Sequence, residues 1–296
     1  MYVIKGANDL NGRRKDFLIQ GQQITYISNE LDKLKHVDMN CHGFSIEPGM
    51  VAVDFSILHL RQFSGFKKKI IHWQKLGCTT TLVVCPVERE RNLGQQLKQA
   101  RHQMINSSID YVIGISFPMS RLTPEIVRLC RREKVPFINA TMEDEKDLEA
   151  VTWAWIRDSL FAYRLAITPD WRGLNLSNKQ MGKLKEQWRE IARTNDIPTI
   201  VDFPEEERAL ANPILRKIGI SPFKGELRPG CDLDYNLYEN ASLADGSDHD
   251  YDRDSHPDIV VLRGEIMKAG KTVYYRPGFG KEISIRVPGY LTTYTV

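Results

Sequence analysis

The sequence is poor in the residues on which most metal and redox chemistry depends. Its seven histidines are His36, His42, His59, His72, His102, His249 and His256, so none lies between Gln103 and Asp248. A centre that draws imidazoles from the middle of the chain is thereby excluded. The five cysteines, Cys41, Cys78, Cys85, Cys130 and Cys231, are far apart and lack C-x-x-C spacing. They read as buried reduced thiols rather than a zinc or dithiol site. No apolar run approaches the ~18 residues of a membrane helix, and Met1 to Leu10 has neither the basic nor the apolar part of a secretion signal. A cytoplasmic protein with no membrane partner is expected. Charge of one sign is scarce too: the formal net charge is +3, too little for a general nucleic-acid field, so no nucleic-acid partner is expected. There is no G-x-G-x-x-G or phosphate loop, no ordered Ser/His/Asp or Cys/His set, no repeat and no low-complexity tract.

What is present is an ordinary globular composition, 42% hydrophobic and 27% charged over 296 residues, enough for about two domains or one large barrel. The first thirty or so residues alternate like strands, over Tyr2 to Lys5, Asp16 to Gln20 and Gln23 to Ile27, with turns at Asn11-Gly12 and Gly21-Gln22. From Met50 the rhythm becomes strand, helix, strand, as in α/β units around a parallel sheet. The spacing predicts strands over Met50 to Ser56, Thr79 to Cys85, Tyr111 to Phe117, Pro136 to Ala140, Phe161 to Ile167 and Pro198 to Phe203. Between them, sets such as Phe66, Ile70 and Trp73, or Met181, Leu184, Trp188 and Ile191, repeat at helical intervals and mark core faces. Thr123-Pro-Glu125 is a helix start. Lys67-Lys-Lys69 is the solvated face of a helix. Strand-like segments return after Lys224, over Ile259 to Ile266 and Thr272 to Tyr275. The simplest organisation is a small β-sandwich built from both ends, residues 1–49 and 224–296, with an α/β unit at 50–223 between them.

An acidic loop holds Asp245, Asp248, Asp250, Asp252, Asp254 and Asp258. A calcium loop starting at Asp248 needs Gly at its sixth position and Glu at its twelfth, and the chain has Arg253 and Ile259. It reads as a solvated loop.

Several segments in order resemble the amidohydrolase superfamily, in its dihydropyrimidinase (hydantoinase), allantoinase and dihydroorotase branch. Asn212-Pro213, Gly219, Ser221-Pro-Phe-Lys-Gly225 and Pro229-Gly-Cys-Asp-Leu-Asp234 resemble the run that leads the family's chain back into its sandwich. Leu262-Arg-Gly-Glu265 and Arg276-Pro-Gly-Phe-Gly280 resemble the hydantoinase tail. Glu47-Pro-Gly-Met50 is similar to the lead-in to the first barrel strand, and Gly77-Cys-Thr-Thr-Thr-Leu-Val-Val84 to the second strand. The resemblance implies an α/β fold with a TIM-type (βα) barrel and a sandwich made from both chain ends. It also implies two divalent metals at the C-terminal ends of the barrel strands, where they activate water against a cyclic amide.

The ligands implied by that resemblance are largely missing. A D-x-H-x-H end of the first strand anchored on Asp54 meets Ser56 and Leu58. Sliding to His59-Leu-Arg61, which resembles the dihydroorotase H-L-R, leaves one histidine. The carbamylated lysine has no counterpart, since Pro136 to Met142 contains no Lys and Phe161 to Ile167 offers only Arg164. Asp202 stands where the fifth-strand histidine falls. Only Pro204 to Ala211 separates that strand from the segment that follows the family's eighth, leaving no room for about three βα units, so an incomplete barrel of at most six strands is expected. Its open edges make a homo-oligomer or a protein partner an expectation.

Two readings follow. In the first, the chain is a non-catalytic homologue that has lost the binuclear site, with no metal and no other cofactor, and acts by binding as a partner or regulator. In the second, it hydrolyses C–N bonds of cyclic amides through a reduced centre with one zinc or manganese ion, using Asp54, His59 and Asp202, with Arg61 as a clamp for a substrate carboxylate.

Overall fold

Two sheets carry the architecture, and side-chain alternation decides how each is buried. The computed structural model describes residues 1–31, 36–240, 256–286 and 288. The chain opens with β1 (Tyr2–Asn8), β2 (Arg14–Gln20), β3 (Gln23–Ser28), β4 (Val37–Asn40) and β5 (Phe44–Pro48). It continues through β6 (Met50–Asp54), α1 (Phe63–Lys75), β7 (Cys78–Pro86), α2 (Leu93–Met104), β8 (Asp110–Pro118), α3 (Pro124–Glu133) and β9 (Phe137–Thr141). There follow α4 (Trp153–Leu160), β10 (Ala166–Asp170), α5 (Asn178–Thr194) and α6 (Asn212–Ile218), then β11 (Tyr235–Glu239), β12 (Ile259–Leu262), β13 (Glu265–Ala269) and β14 (Thr272–Val273).

Strands from both ends of the chain share one nine-stranded sheet, in the order β14-β13-β12-β11-β5-β1-β2-β3 with β4 beside β1. Its seam is β5 against β11, antiparallel from Phe44↔Glu239 to Pro48↔Tyr235. A bulge in β1 between Ile4 and Ala7 is held by buried Asp16, which accepts from Gly6 N at 2.8 Å and Leu31 N at 2.9 Å. Where the sequence predicts one strand over Ile259 to Ile266, the structure has a hairpin. Arg263 and Gly264 turn at φ +50° and +80°, which a two-residue turn between twisted strands requires.

The second sheet is parallel, β6-β7-β8-β9-β10, as α/β alternation demands. Ala52, Val83, Ile113, Ile138 and Ile167 face the layer of α1 to α5, where Trp73, Leu97, Ile126, Ile156 and Trp188 are buried. Val51, Val53, Leu82, Val84, Val112, Phe137 and Ala166 face the opposite, inner side. Gly114 lies directly under the Phe137 ring, in space that a Cβ would occupy. The strand predicted over Phe161 to Ile167 starts later, at Ala166, because Phe161 caps α4 instead.

The strand predicted over Pro198 to Phe203 has no strand hydrogen-bonding. Residues 198–210 form an arch over the open side of the parallel sheet instead. Pro198 O accepts from Ile167 N of β10 at 2.8 Å, and Leu210 N donates to Val51 O of β6 at 2.8 Å. One segment thus touches both edge strands. Between these feet the arch reaches the strands' C-terminal ends, where Val201 O accepts the Trp171 indole at 2.7 Å and Glu206 accepts from Phe55 N at 2.7 Å. Ile200 and Leu210 of the arch, Leu215 and Ile218 of α6, and Ile285 of the tail fill the inner face. At about 25 cal/mol per Å² of apolar area, this packing buries a face that would otherwise need further strands. Among the described residues no helix is long and apolar enough to cross a membrane.

Candidate functional site

In a parallel α/β sheet the C-terminal strand ends are where loops gather side chains for chemistry. On the inner face, lateral neighbours there are Pro86, Ser116, Asn139 and Thr168, one on each of β7 to β10. The layer beneath is Val84, Gly114, Phe137 and Ala166, and the layer above ends at Thr141 and Asp170. The face therefore changes from apolar to polar as it nears the strand ends. Asn139 Nδ2 donates to Asp170 Oδ2 at 2.9 Å, and Arg172 grips both oxygens of Asp170, from Nε at 2.8 Å and from the terminal nitrogen at 2.6 Å. Burial alone would raise the Asp170 pKa, but hydrogen bonds from Arg172 and Asn139 outweigh it and hold the carboxyl below its usual range. Thr168 Oγ1 is buried with no hydrogen-bond partner among the described residues.

Aromatic rings close this end. The Arg172 guanidinium lies 4.0 Å from the Phe55 ring centre, Phe55 meets Phe203 edge-on at 6.1 Å, and Phe203 stacks on Phe137 at 5.6 Å. Glu206 of the arch also takes Lys69 Nζ at 3.1 Å.

Asp54, the acid expected at the end of the first parallel strand, points the other way. Alternation puts Val51 and Val53 on the inner face and Asp54 on the helix face. Its Oδ1 accepts from Ser56 N at 2.8 Å, Ile57 N at 2.7 Å and Ser56 Oγ at 3.1 Å, and its Oδ2 from the Trp73 indole at 2.6 Å. It is fully buried and its lone pairs are occupied. His59 ends the 3₁₀ turn Ile57–His59 and is exposed, as is Arg61 two residues on. Asp202 is exposed on the arch and pairs with Lys185 of α5. The structure does not gather Asp54, His59 and Asp202 into one cluster of metal-ligating atoms.

Among the described residues one group of three carboxylates does converge, Asp110, Asp232 and Asp234, with oxygens within 4.8 Å of one another. It lies at the other end of the sheet, since Asp110 opens β8, against the turn that precedes β11. Lys224 Nζ stands among the three, 2.7 Å from Asp110, 2.8 Å from Asp232 and 2.6 Å from Asp234. Arg263 adds its guanidinium to Asp110 and its backbone N–H to Asp234 at 2.8 Å, and Lys281 N reaches Asp110 at 2.8 Å. Burial alone would lower the Lys224 pKa, but the three carboxylates outweigh it and raise it. Burial pushes Asp234 up to about 6 against the pull of Lys224. Lys224, Asp232 and Asp234 are the motif residues that carried the resemblance, and together they bolt the two sheets to each other.

A divalent ion of the kind the resemblance implies does not fit these donor sets. The strand-end layer has no imidazole, and its one carboxylate is committed to Arg172 and Asn139. In the three-carboxylate group the position a cation would share is filled by the Lys224 ammonium. The five cysteines are buried and unpaired, and burial pushes Cys41 and Cys85 to about 11 and Cys78 to about 12, away from nucleophilic use. The acids Asp245 to Asp254 lie outside the described residues, and Asp258 accepts from Glu239 N at 2.8 Å.

Sequence reading missed the Asn139, Asp170 and Arg172 group. A signal existed in the Pro169-Asp-Trp-Arg172 run, an acid and a base just past an apolar stretch, but it resembles any helix cap.

No protein-family model and no curated protein matches the sequence. Solved structures do match. Dihydropyrimidinase from Brevibacillus agri is 10% identical with a TM-score of 0.69, covering 96% of this chain and 98% of its own. A D-hydantoinase is 12% identical with a TM-score of 0.70, covering 98% and 100%. D-hydantoinase from Bacillus sp. AR9 is 11% identical with a TM-score of 0.70, covering 97% and 99%. At such identities the likeness establishes a shared fold.

Proposed function

We propose that this chain is a shortened amidohydrolase-like protein, of dihydropyrimidinase and dihydroorotase type, that does not run a binuclear metal centre and acts by binding, as a non-catalytic homologue that partners or regulates another molecule. The observation that carries this reading is the strand-end layer itself. Where metal chemistry needs open imidazole and carboxylate lone pairs, this layer presents an arginine-neutralised aspartate under an aromatic cover of Phe55 and Phe203. The role is cytoplasmic in this reading, and its partner is a second copy or another protein. Trp155 and Phe161, on and just after α4, are large exposed apolar side chains of the sort such contacts use.

The test is metal content and turnover of the purified full chain. Near-zero zinc, manganese and iron per chain, and no hydrolysis of dihydrouracil or hydantoin after reloading with zinc or manganese, is the expected result. Hydrolysis that disappears in Asp54→Asn or Asp202→Asn at an unchanged melting temperature would overturn the proposal in favour of a reduced one-metal centre with Asp54, His59 and Asp202 as its acids and base and Arg61 as its clamp.

A further inference from the structure

The helix side of the same strand ends carries a feature that the fold does not need. Past β7 the chain reads Glu88-Arg-Glu-Arg91, and past β8 Arg121 closes the 3₁₀ turn Met119–Arg121. With Phe117 these residues line a shallow, open surface cleft of about 360 Å³. Several arginines elsewhere are neutralised, as Arg101 is by Glu133 and Glu282, Arg164 by Asp196 and Arg276 by Glu265. Among the described residues neither Arg89 nor Arg91 has a carboxylate partner, and Arg121 gives its hydrogen bond to the Glu88 carbonyl at 3.3 Å. Glu90 is held aside by the Thr123 hydroxyl, the same side chain that caps α3.

Three guanidiniums and two carboxylates line the same surface, so positive charge is in slight excess, and forked guanidinium donors match the oxygens of a phosphoryl group. Glu88 and Glu90 interrupt its positive charge, which an extended polyanion would meet as repulsion. Glu88 in turn offers an acceptor to hydroxyl or amino donors on the same ligand. We propose that this cleft binds a small phosphorylated molecule that also carries hydroxyl or amino donors, with Arg89, Arg91 and Arg121 on the phosphoryl oxygens and Glu88 on the donors. This names a ligand class for the binding role argued above and rests on that reading.

The experiment is titration calorimetry on the full chain with glucose 6-phosphate and inorganic pyrophosphate as probes, and glucose and inorganic sulfate as controls. Both phosphorylated probes are expected to bind at one per chain, with glucose silent and sulfate weaker. The Arg89→Ala/Arg91→Ala variant should lose about ten-fold or more in affinity at an unchanged melting temperature, because both side chains are exposed. Glu88→Gln should weaken glucose 6-phosphate and spare pyrophosphate. No heat from either probe at roughly 10 mM, a weak limit near 3 kcal/mol of binding free energy, overturns the proposal. So does equal binding by the double variant, sulfate binding as tightly as the probes, or tighter, steeply salt-dependent binding of duplex DNA. Silent probes together with no cyclic-amide hydrolysis remove this site and leave the non-catalytic reading standing, whereas hydrolysis removes that reading directly.

Discussion

The Asp54 carboxylate accepts the Trp73 indole N–H at 2.6 Å, tying the end of the first parallel strand to the last turn of the helix that follows it. A buried acid with four donors around it acts as a rivet. Its charge is balanced by Lys69 at 3.8 Å, and its geometry fixes where the chain turns after β6.

Asp54→Ala should therefore behave as a stability mutant. It strands the Trp73 indole and two backbone N–H groups in the core, and a loss of about 3 kcal/mol or more is expected in chemical denaturation. A variant that melts like the wild type while losing a measured activity would assign Asp54 to chemistry instead.

Asp234 predicts an unusual pH dependence. Its folded-state pKa of about 6 lies above the ~3.9 of an unfolded aspartate, so the folded chain holds a proton there that the unfolded chain releases. The stability that this proton contributes is fully present below about pH 4 and is lost as pH rises through the folded value. Asp234→Asn has no such titration. It should be less stable than the wild type, having lost the acceptor for Lys224 or for Arg263 N, but the gap should narrow between about pH 4 and pH 7 by on the order of 2 kcal/mol. Denaturation curves at several pH values check this, and a gap that widens with pH would show the acid to be charged and stabilised by Lys224.

Lys224→Ala removes the cation from among three carboxylates. It should unfold easily, by about 3 to 5 kcal/mol, because it leaves buried charge uncompensated. Manganese should then raise the melting temperature of the variant and leave the wild type unmoved, since only the variant has room for a divalent ion there. An equal response of both proteins would mean that Lys224 does not stand in for a metal.

The arch is held at its crown by Glu206, through Phe55 N and Lys69. Glu206→Ala should loosen the crown without melting the sheet, so limited proteolysis should cut faster within residues 203–209 while the global melting temperature falls by only a few degrees. Unchanged cleavage would place the arch's rigidity in its aromatic contacts.

Much of the architecture was legible because it rests on local rules. Apolar runs separated by helical stretches locate β6 to β9 to within a residue or two, and strand-like segments at both ends point to their union. Ser221-Pro-Phe-Lys-Gly225 and Gly230-Cys-Asp-Leu-Asp234 marked a motif, but nothing local shows that Lys224 finds Asp110, 114 positions away. The arch reads as a strand because Ile200 and Val201 are both apolar, but Ile200 fills the inner core and Val201 packs on the helix-side core, and neither joins a ladder. The β12–β13 hairpin was hidden by Leu262-Arg-Gly-Glu265, whose glycine turns the chain inside an apparently continuous run. Asp54 was placed at a strand end correctly; its direction depends on a one-residue parity that flips every side chain to the other face.

The seam between β5 and β11 sets an order of events during synthesis. Pro48 emerges early and Tyr235, its partner, only after the whole α/β segment has been made. At 5–20 residues per second that interval is roughly 10 to 40 s, during which β1 to β5 have one another but no closing neighbour. The parallel sheet, made of near-neighbour units, can form in that time and present Asp110 before Lys224 exists to meet it. Until Tyr235 is made, β5 lacks its β11 neighbour, and that open edge is one that a chaperone or a second nascent chain could pair with.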